Sequence, residues 1–143
     1  MRKELSEAYR ITRDFGFDEL VWNHISVLLS DGSYLITPGD RMFDDIAPQD
    51  LVKSSGNVTA DIIHDAVYKV RNDVKAIVHL HTPATVAISC LEMGFVPLAQ
   101  EAAPFVGRVV RHPWHGVSND WEEQALLGEA VKDPKCNTLI MEN

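Results

Sequence analysis

His79 and His81 stand two residues apart in IVHLHTPA (77–84), inside an otherwise apolar run. In a β-strand, residues i and i+2 project from one face, about 6.5–7 Å apart at Cα. Two imidazoles so placed can converge on one ion at about 2.0–2.1 Å each. A divalent cation takes the neutral imidazole, the form an ordinary histidine favours at pH 7. A His-x-His pair arises easily by chance. Its place here, at the end of an apolar strand and before a Thr-Pro break, gives it weight. Buried histidines at that point need partners, either an ion or backbone groups. Two donors do not complete a catalytic site, which commonly has three protein ligands and an open position. The third could be His64, His112, His115 or a donor outside this chain. His64 sits on the preceding helix, where a helix–strand contact or a bond that orients a ligand is the plainer reading. His112 and His115, in RHPWHG, read as loop or surface histidines.

The elements that must position these side chains are legible from period and punctuation. Leu5, Ala8, Ile11 and Phe15 recur at helical spacing over 2–15, and Gly16 supplies a stop. HISVLLSDGSYLITP holds two β-rich runs around Asp31-Gly32, which predicts a two-residue hairpin turn. FDDIAPQDLV reads as a loop with a short helical turn, and KSSGNVTA as a turn-rich connection. A second amphipathic helix spans 60–71, with Thr59 as N-cap and Asp61 at the positive end of the dipole. Residues 74–81 form a strand, with Ile77, His79 and His81 on one face and Val78 and Leu80 on the other. ATVAISCLEMG is a helix closed by Gly94, and GRVVRH a strand. Asn119 and Glu122 suggest a capping box for a helix over 120–131, and NTLIM is a last strand. The expected class is α/β: a three-layer α/β/α arrangement with a central mixed, largely antiparallel sheet and helices on both faces.

The bulk numbers narrow the function classes. The 143 residues suit one domain with a real core. The formal net charge of −8 argues against nucleic acid or an anionic membrane as partner. Cys90 and Cys136 are the only cysteines, too few for a disulfide framework. The N-terminus MRKELSEAYR has no apolar core, and no run approaches the roughly 20 apolar residues of a spanning helix. The expected setting is cytoplasmic and reducing.

Several stretches together resemble the class II aldolase/adducin family. They are AYRITRDFGFDELVWNHISV, YLITP, IIHDAVYKVRNDVKAIVHLHTPATVAISCLEMGFVPLAQEA, GRVVRHPWHG and NTLIMEN, and they cover nearly the whole chain. HLHTPA and GFVPLAQEA are closer to the adducin-like branch than to the sugar-phosphate aldolases. The resemblance implies a single domain over 1–143, cut short at its C-terminus. It implies that His79 and His81 bind a divalent metal, often zinc, and that a third histidine follows the last strand in an Asn-His-Gly sequence. That ligand is expected just after Asn143. A metal so held would act on a small hydroxy-carbonyl substrate, stabilising the enediolate of retro-aldol cleavage, epimerisation or decarboxylation.

The chain departs from the family where protons and phosphate are handled. The aldolases carry a Glu one helical turn before the residue matching His64; Ala60 stands there. Asp61 is its neighbour, but one residue turns a helix by about 100°. No catalytic residue is assigned, and Asp61 and Tyr68 are the candidates, with His24 a further conceivable proton carrier. The family's phosphate cradle maps to Gly39-Asp40 and Val58-Thr59; Asp40 repels an anion and Val58 has no side-chain donor. A phosphorylated sugar is therefore not the first choice. The connection before the second helix is also shorter than the family's, through deletion or residues missing between Val58 and Thr59. Candidate substrate contacts are His24 and Ser26 of Asn-His-Ile-Ser, Gly39, and Gln100 and Glu101, which match positions near a neighbouring subunit's site. The resemblance implies a homo-oligomer, with tetramers common among members. Its second branch implies a different class, the non-catalytic interaction and oligomerisation module of adducin's head. Trp22, Trp114 and Trp121 read as core or groove packing before interface anchors.

Overall fold

A computed structural model describes residues 1–142, Asp45 by its backbone alone. The first helix, α1 (Arg2–Asp14), buries Leu5 and Tyr9, one turn apart, and Gly16 follows it at φ 74°. Strands β1 (His24–Leu28) and β2 (Tyr34–Ile36) form an antiparallel hairpin. Its loop differs from expectation. Leu29 N donates to Ser33 O at 2.7 Å, and Gly32 N to Leu29 O at 3.1 Å, so three residues lie between the paired ends. A two-residue type I′ turn needs positive φ at both central positions. Gly32 has φ 83°, but Asp31 is not left-handed; its carboxylate instead accepts from Ser33 N at 3.0 Å.

A 3-10 turn at Phe43–Asp45 leads to α2 (Val58–Val70), then β3 (Ala76–His79) and α3 (Pro83–Ser89). A second 3-10 segment at Gln100–Phe105 precedes β4 (Val109–His112), α4 (Trp121–Val131) and β5 (Thr138–Met141). Two caps shift from their expected residues. The α2 cap is Asn57, whose side chain accepts from Thr59 N at 3.1 Å and Ala60 N at 3.4 Å. The α4 cap is Asp120, accepting from Glu122 N at 2.7 Å and Glu123 N at 3.1 Å. In both places a cap-forming residue one or two positions away takes the role, so residue type marks the helix start only to within two residues.

The expected α/β class holds, but the described strands form two hydrogen-bonded sheets where one central sheet was expected. One is antiparallel in the order β2-β1-β3, the other is the parallel pair β4-β5. The alternation along β1 divides two environments. Ile25 joins Leu35, Leu5, Tyr9, Phe43, Ile46 and Leu51 in one core cluster. From the opposite face, Tyr34 and Ile36 pack with Ala60 of α2. Ile62, Ile63 and Ala66 of α2 meet Leu127 of α4 in a third cluster, beside Leu139 and Met141 of β5. Each fully buried Leu or Ile stabilises the fold by ~2 kcal/mol. Arg71, at the α2 C-terminus, ties these parts together, donating to the carbonyls of Val131, Asp133 and Cys136 at 2.9–3.0 Å. Among the described residues, no helix is long and apolar enough to cross a membrane.

Candidate functional site

Sheet register brings the imidazoles together. His24 pairs directly with His79, so their side chains share the face that α2 covers. The two rings lie parallel, with centroids 4.3 Å apart and planes within 4°. His64, fully buried on α2, reaches the same face, with its Nε2 2.6 Å from His24 Nδ1. Its Nδ1 meets Ser26 Oγ, which lies 2.8 Å from Tyr68 OH. The result is a continuous hydrogen-bonded chain, His24–His64–Ser26–Tyr68, behind His79 and His81.

His79 Nε2 and His81 Nε2 lie 2.8 Å apart. Nitrogens this close are donor and acceptor of one hydrogen bond or ligands of one ion. Ligands on a tetrahedral ion stand ~3.3 Å apart, so a slight rotation of either ring converts one arrangement to the other. The pair therefore fits two donor positions of a divalent-metal site. No group of three His, Cys, Asp or Glu side chains is in ligand position among the described residues. The donor expected after Asn143 lies outside the described residues.

The electrostatics keep these rings neutral. Burial pushes His24 well below the usual histidine range, helped by neighbouring His64 and His81. Burial does the same to His79, helped by His24 and His81. His64 is pushed down to about 3, again chiefly by burial and then by His79. His81 is lowered by burial, against the carboxylate of Glu19. Neutral imidazole is the form that can bind a cation. Tyr68 is pushed up to about 12 by burial, with Ser26 opposing, so its phenol stays protonated.

The other candidate residues fall in several places. Asp61 is engaged: Ser55 N and Oγ donate to its Oδ1 at 3.1 and 2.9 Å, and Ser54 Oγ to its Oδ2 at 2.9 Å. Ala60 is 1% exposed and packs against Tyr34 and Ile36. Gly39 lines a surface hollow of about 580 Å³ with Asp40, Gly56 and Asn57. A Cβ on Gly39 would come within 2.5 Å of Asn57 Cβ, which accounts for a glycine there without a ligand. Gln100 and Glu101 lie on the exposed second 3-10 segment. His112 is buried, with its Nε2 3.4 Å from Glu123 Oε1 but not hydrogen-bonded to it, and its ring lies 5.2 Å from that of His115. The three tryptophans are each more than half exposed, which corrects the core reading. Trp22 sits 5.9 Å from the His81 ring, and the Lys69 ammonium lies 5.7 Å over Trp121.

Two further side chains frame the site, and neither was among the candidate site residues. Asn23, 1% exposed, accepts from His81 N at 2.7 Å through its Oδ1. Its Nδ2 donates to Phe17 O at 3.0 Å and to Glu19 Oε2 at 2.6 Å. Asn23 stands in the Asn-His-Ile-Ser stretch, but Glu19 is one of many surface-type carboxylates until the turn at 19–22 is seen.

The sequence model described as the class II aldolase and adducin N-terminal domain matches residues 3–143. Alpha-adducin of Rattus norvegicus is 32% identical over 161 residues, covering 100% of this chain and 21% of that protein. An adducin-related protein of Schizosaccharomyces pombe is 32% identical over 162 residues, covering 99% of this chain and 49% of that protein. The chain thus spans between a fifth and a half of these relatives. Among solved structures, an aldolase II superfamily protein from Pseudomonas syringae superposes with a TM-score of 0.90 at 27% identity, over 99% of this chain and 62% of that one. L-fuculose 1-phosphate aldolase from Glaciozyma antarctica shares the fold, with a TM-score of 0.82 at 23% identity over 99% of this chain and 60% of that one.

Proposed function

Because the chain belongs to the class II aldolase and adducin N-terminal domain family, we propose that it carries a metal-dependent, lyase-like activity on a small hydroxy-carbonyl compound. The reaction is retro-aldol cleavage, or the related epimerisation or decarboxylation. The observation that carries this reading is the convergence of His79 Nε2 and His81 Nε2, 2.8 Å apart at the C-terminal end of β3. These two imidazoles would supply two donors to a divalent ion, zinc by resemblance to the family. When bound, such an ion supplies Lewis acidity at the substrate carbonyl and favours the charge that develops on its oxygen.

The remaining work falls to the chain's own residues. With Ala60 in place of a carboxylate, α2 offers no acid at that position. The His24–His64–Ser26–Tyr68 chain takes the proton instead. It can run in two senses. In one, His24 donates from Nδ1 to His64 Nε2, His64 to Ser26, and Ser26 to Tyr68, which leaves His24 Nε2 as an acceptor. In the other, every donor is reversed and His24 Nε2 carries the proton. Burial disfavours a net charge on either imidazole, so a proton gained at one end must be matched by one released at the other. Tyr68, with its phenol kept protonated, is the outer end of that relay. Asp40 beside Gly39 disfavours an anionic tail, which supports an unphosphorylated substrate. His24 and Ser26 are its nearest candidate contacts, and Gln100 and Glu101 would reach it from a second copy.

The same reading places α1 and α2 on opposite faces of the antiparallel sheet as outer layers of a three-layer domain. It includes a homo-oligomer, a tetramer by resemblance. Support comes from the apolar side chains exposed between Leu91 and Val106, among them Met93 and Leu98. Two free cysteines, Cys90 exposed and Cys136 buried, suit a reducing, cytoplasmic setting.

A second reading has its own observation. Ala60 is sealed against Tyr34 and Ile36, which leaves no space for the missing carboxylate and suits a non-catalytic, adducin-like module. Metal analysis separates the two. The protein carrying this domain should bind zinc stoichiometrically and lose it on His79→Ala, with turnover of one member of a panel of unphosphorylated ketoses and hydroxy acids. Protein that takes up no metal on titration belongs to the non-catalytic module.

A further inference from the structure

The turn before β1 holds a carboxylate in an unusual way. Trp22 N donates to Glu19 O at 3.2 Å, which closes a four-residue turn. Its second residue, Leu20, has φ 51°, the one left-handed non-glycine residue among those described. A side chain at such φ is strained, and turns of this kind favour Gly or Asn there. Leu20 is also more than half exposed, so packing does not explain the choice. What the turn does is bring Glu19 Oε2 to 2.6 Å from Asn23 Nδ2.

Asn23 is a three-bond bridge. Its Oδ1 accepts the His81 N–H at 2.7 Å, and its Nδ2 protons go to Phe17 O and Glu19 Oε2. The amide can face only one way, because a flip would set Nδ2 against the His81 N–H and Oδ1 against two acceptors. The bond to His81 falls where sheet pairing has ended: His24–His79 is the last pair between β1 and β3. Beyond it the Asn23 side chain takes the part of a strand neighbour. The His81 main chain is thereby anchored two residues past the sheet edge.

We propose that Glu19 is a positioning residue for the His79–His81 pair: its carboxylate fixes the Asn23 amide, the amide oxygen holds the His81 N–H, and the His81 ring stands opposite His79 as a result. This rests on the metal reading above. A polar partner standing behind a ligand typically changes metal affinity by about 10- to 100-fold when removed.

The test exchanges the two partners. Asn23→Asp keeps an acceptor for the His81 N–H but sets its second oxygen against Phe17 O and the Glu19 carboxylate. Zinc affinity, read by competition with a chromophoric chelator, should fall about 10- to 100-fold. Adding Glu19→Gln to that variant supplies an amide donor to the new carboxylate and should restore most of the loss. Glu19→Gln alone leaves an acceptor for Asn23 and should cost less than Asn23→Asp. A merely structural role would not give rescue of affinity by the double substitution. Affinity unchanged in Asn23→Asp, or not restored in the double variant, overturns the proposal. A metal-free measurement runs in parallel: amide exchange at His81 should speed up in Asn23→Asp and slow again in the double variant. If the unaltered protein takes up no zinc, the metal reading fails by itself. The exchange pattern then decides whether Glu19 positions His81, and unchanged exchange overturns it.

Discussion

Lowering the pH should destabilise this domain well before its carboxylates titrate. His64 has an ordinary value of 6.5 when unfolded and about 3 in the fold. Between those values the unfolded chain binds a proton that the native chain does not, so stability falls with falling pH in that window. The contribution is fully present above pH 6.5, declines below it, and is gone near pH 3. Between pH 7.5 and pH 5 the loss from His64 alone is about 2 kcal/mol. His24 and His79 are shifted the same way by the same burial, so the whole protein should lose more than that. Most carboxylates of an unfolded chain are still ionised at pH 5, which leaves the imidazoles as the principal cause in this range. The assay is urea unfolding followed by far-ultraviolet circular dichroism, at steps from pH 7.5 to 5. Protein treated with chelator keeps metal from competing for the imidazole lone pairs. With a urea slope of roughly 1–3 kcal/mol per molar, 2 kcal/mol moves the midpoint by ~1 M. His64→Gln keeps polar atoms for Ser26 and His24 but cannot titrate, so its pH slope should be shallower than that of the unaltered chain. A midpoint that stays flat to pH 5 would refute the claim that buried, neutral imidazoles form the cluster. So would a His64→Gln slope equal to the parent's.

Other substitutions test the frame of the site. Tyr9 OH donates to Ile25 O and accepts from Ile25 N at 2.8 Å and Thr37 N at 3.0 Å, a fully used phenol. Tyr9→Phe keeps the ring and should cost ~2–4 kcal/mol in chemical denaturation, because buried backbone groups lose their partner; a cost under ~1 kcal/mol would count against that accounting. Asn57→Ala should cost ~1 kcal/mol through loss of the α2 cap, and Thr59→Ala much less; equal costs would return the cap to Thr59. Gly39→Ala should destabilise by more than ~1 kcal/mol, because the new Cβ meets Asn57 Cβ at 2.5 Å; a neutral result by thermal unfolding would show that the contact gives way. Leu20→Gly should leave stability unchanged or raise it by up to ~1 kcal/mol, since relief of strain offsets the entropy of glycine; a clear loss would show that Leu20 packs.

Much of this protein can be read locally, and the limits are physical ones. Strand alternation sets Ile77 and His79 to one side, because side chains in a strand repeat every two residues, but β3 ends at His79 and His81 lies beyond it. Helical spacing puts His64 and Tyr68 one turn apart on one face of α2, and Tyr68 meets Ser26 as that face descends on β1. Turn and cap chemistry was readable by residue type but not by position. Thr59 and Asn57, and likewise Asn119 and Asp120, are all cap-forming residue types, and the backbone bonds of the fold show Asn57 and Asp120 as the caps. The division of the strands into two sheets depends on long-range pairing that no short window contains. The same holds for the chemistry. His24 lies 40 residues from His64, and Asn23 lies 58 from His81. Their meeting depends on β1–β3 register and on α2 docking, and these determine that four imidazoles sit together and stay neutral. The pair of histidines was thus a property of the chain itself; their neighbours, their protonation and the anchoring of His81 by Asn23 and Glu19 came only with tertiary structure, because sequence spacing governs local direction and packing governs who is met there.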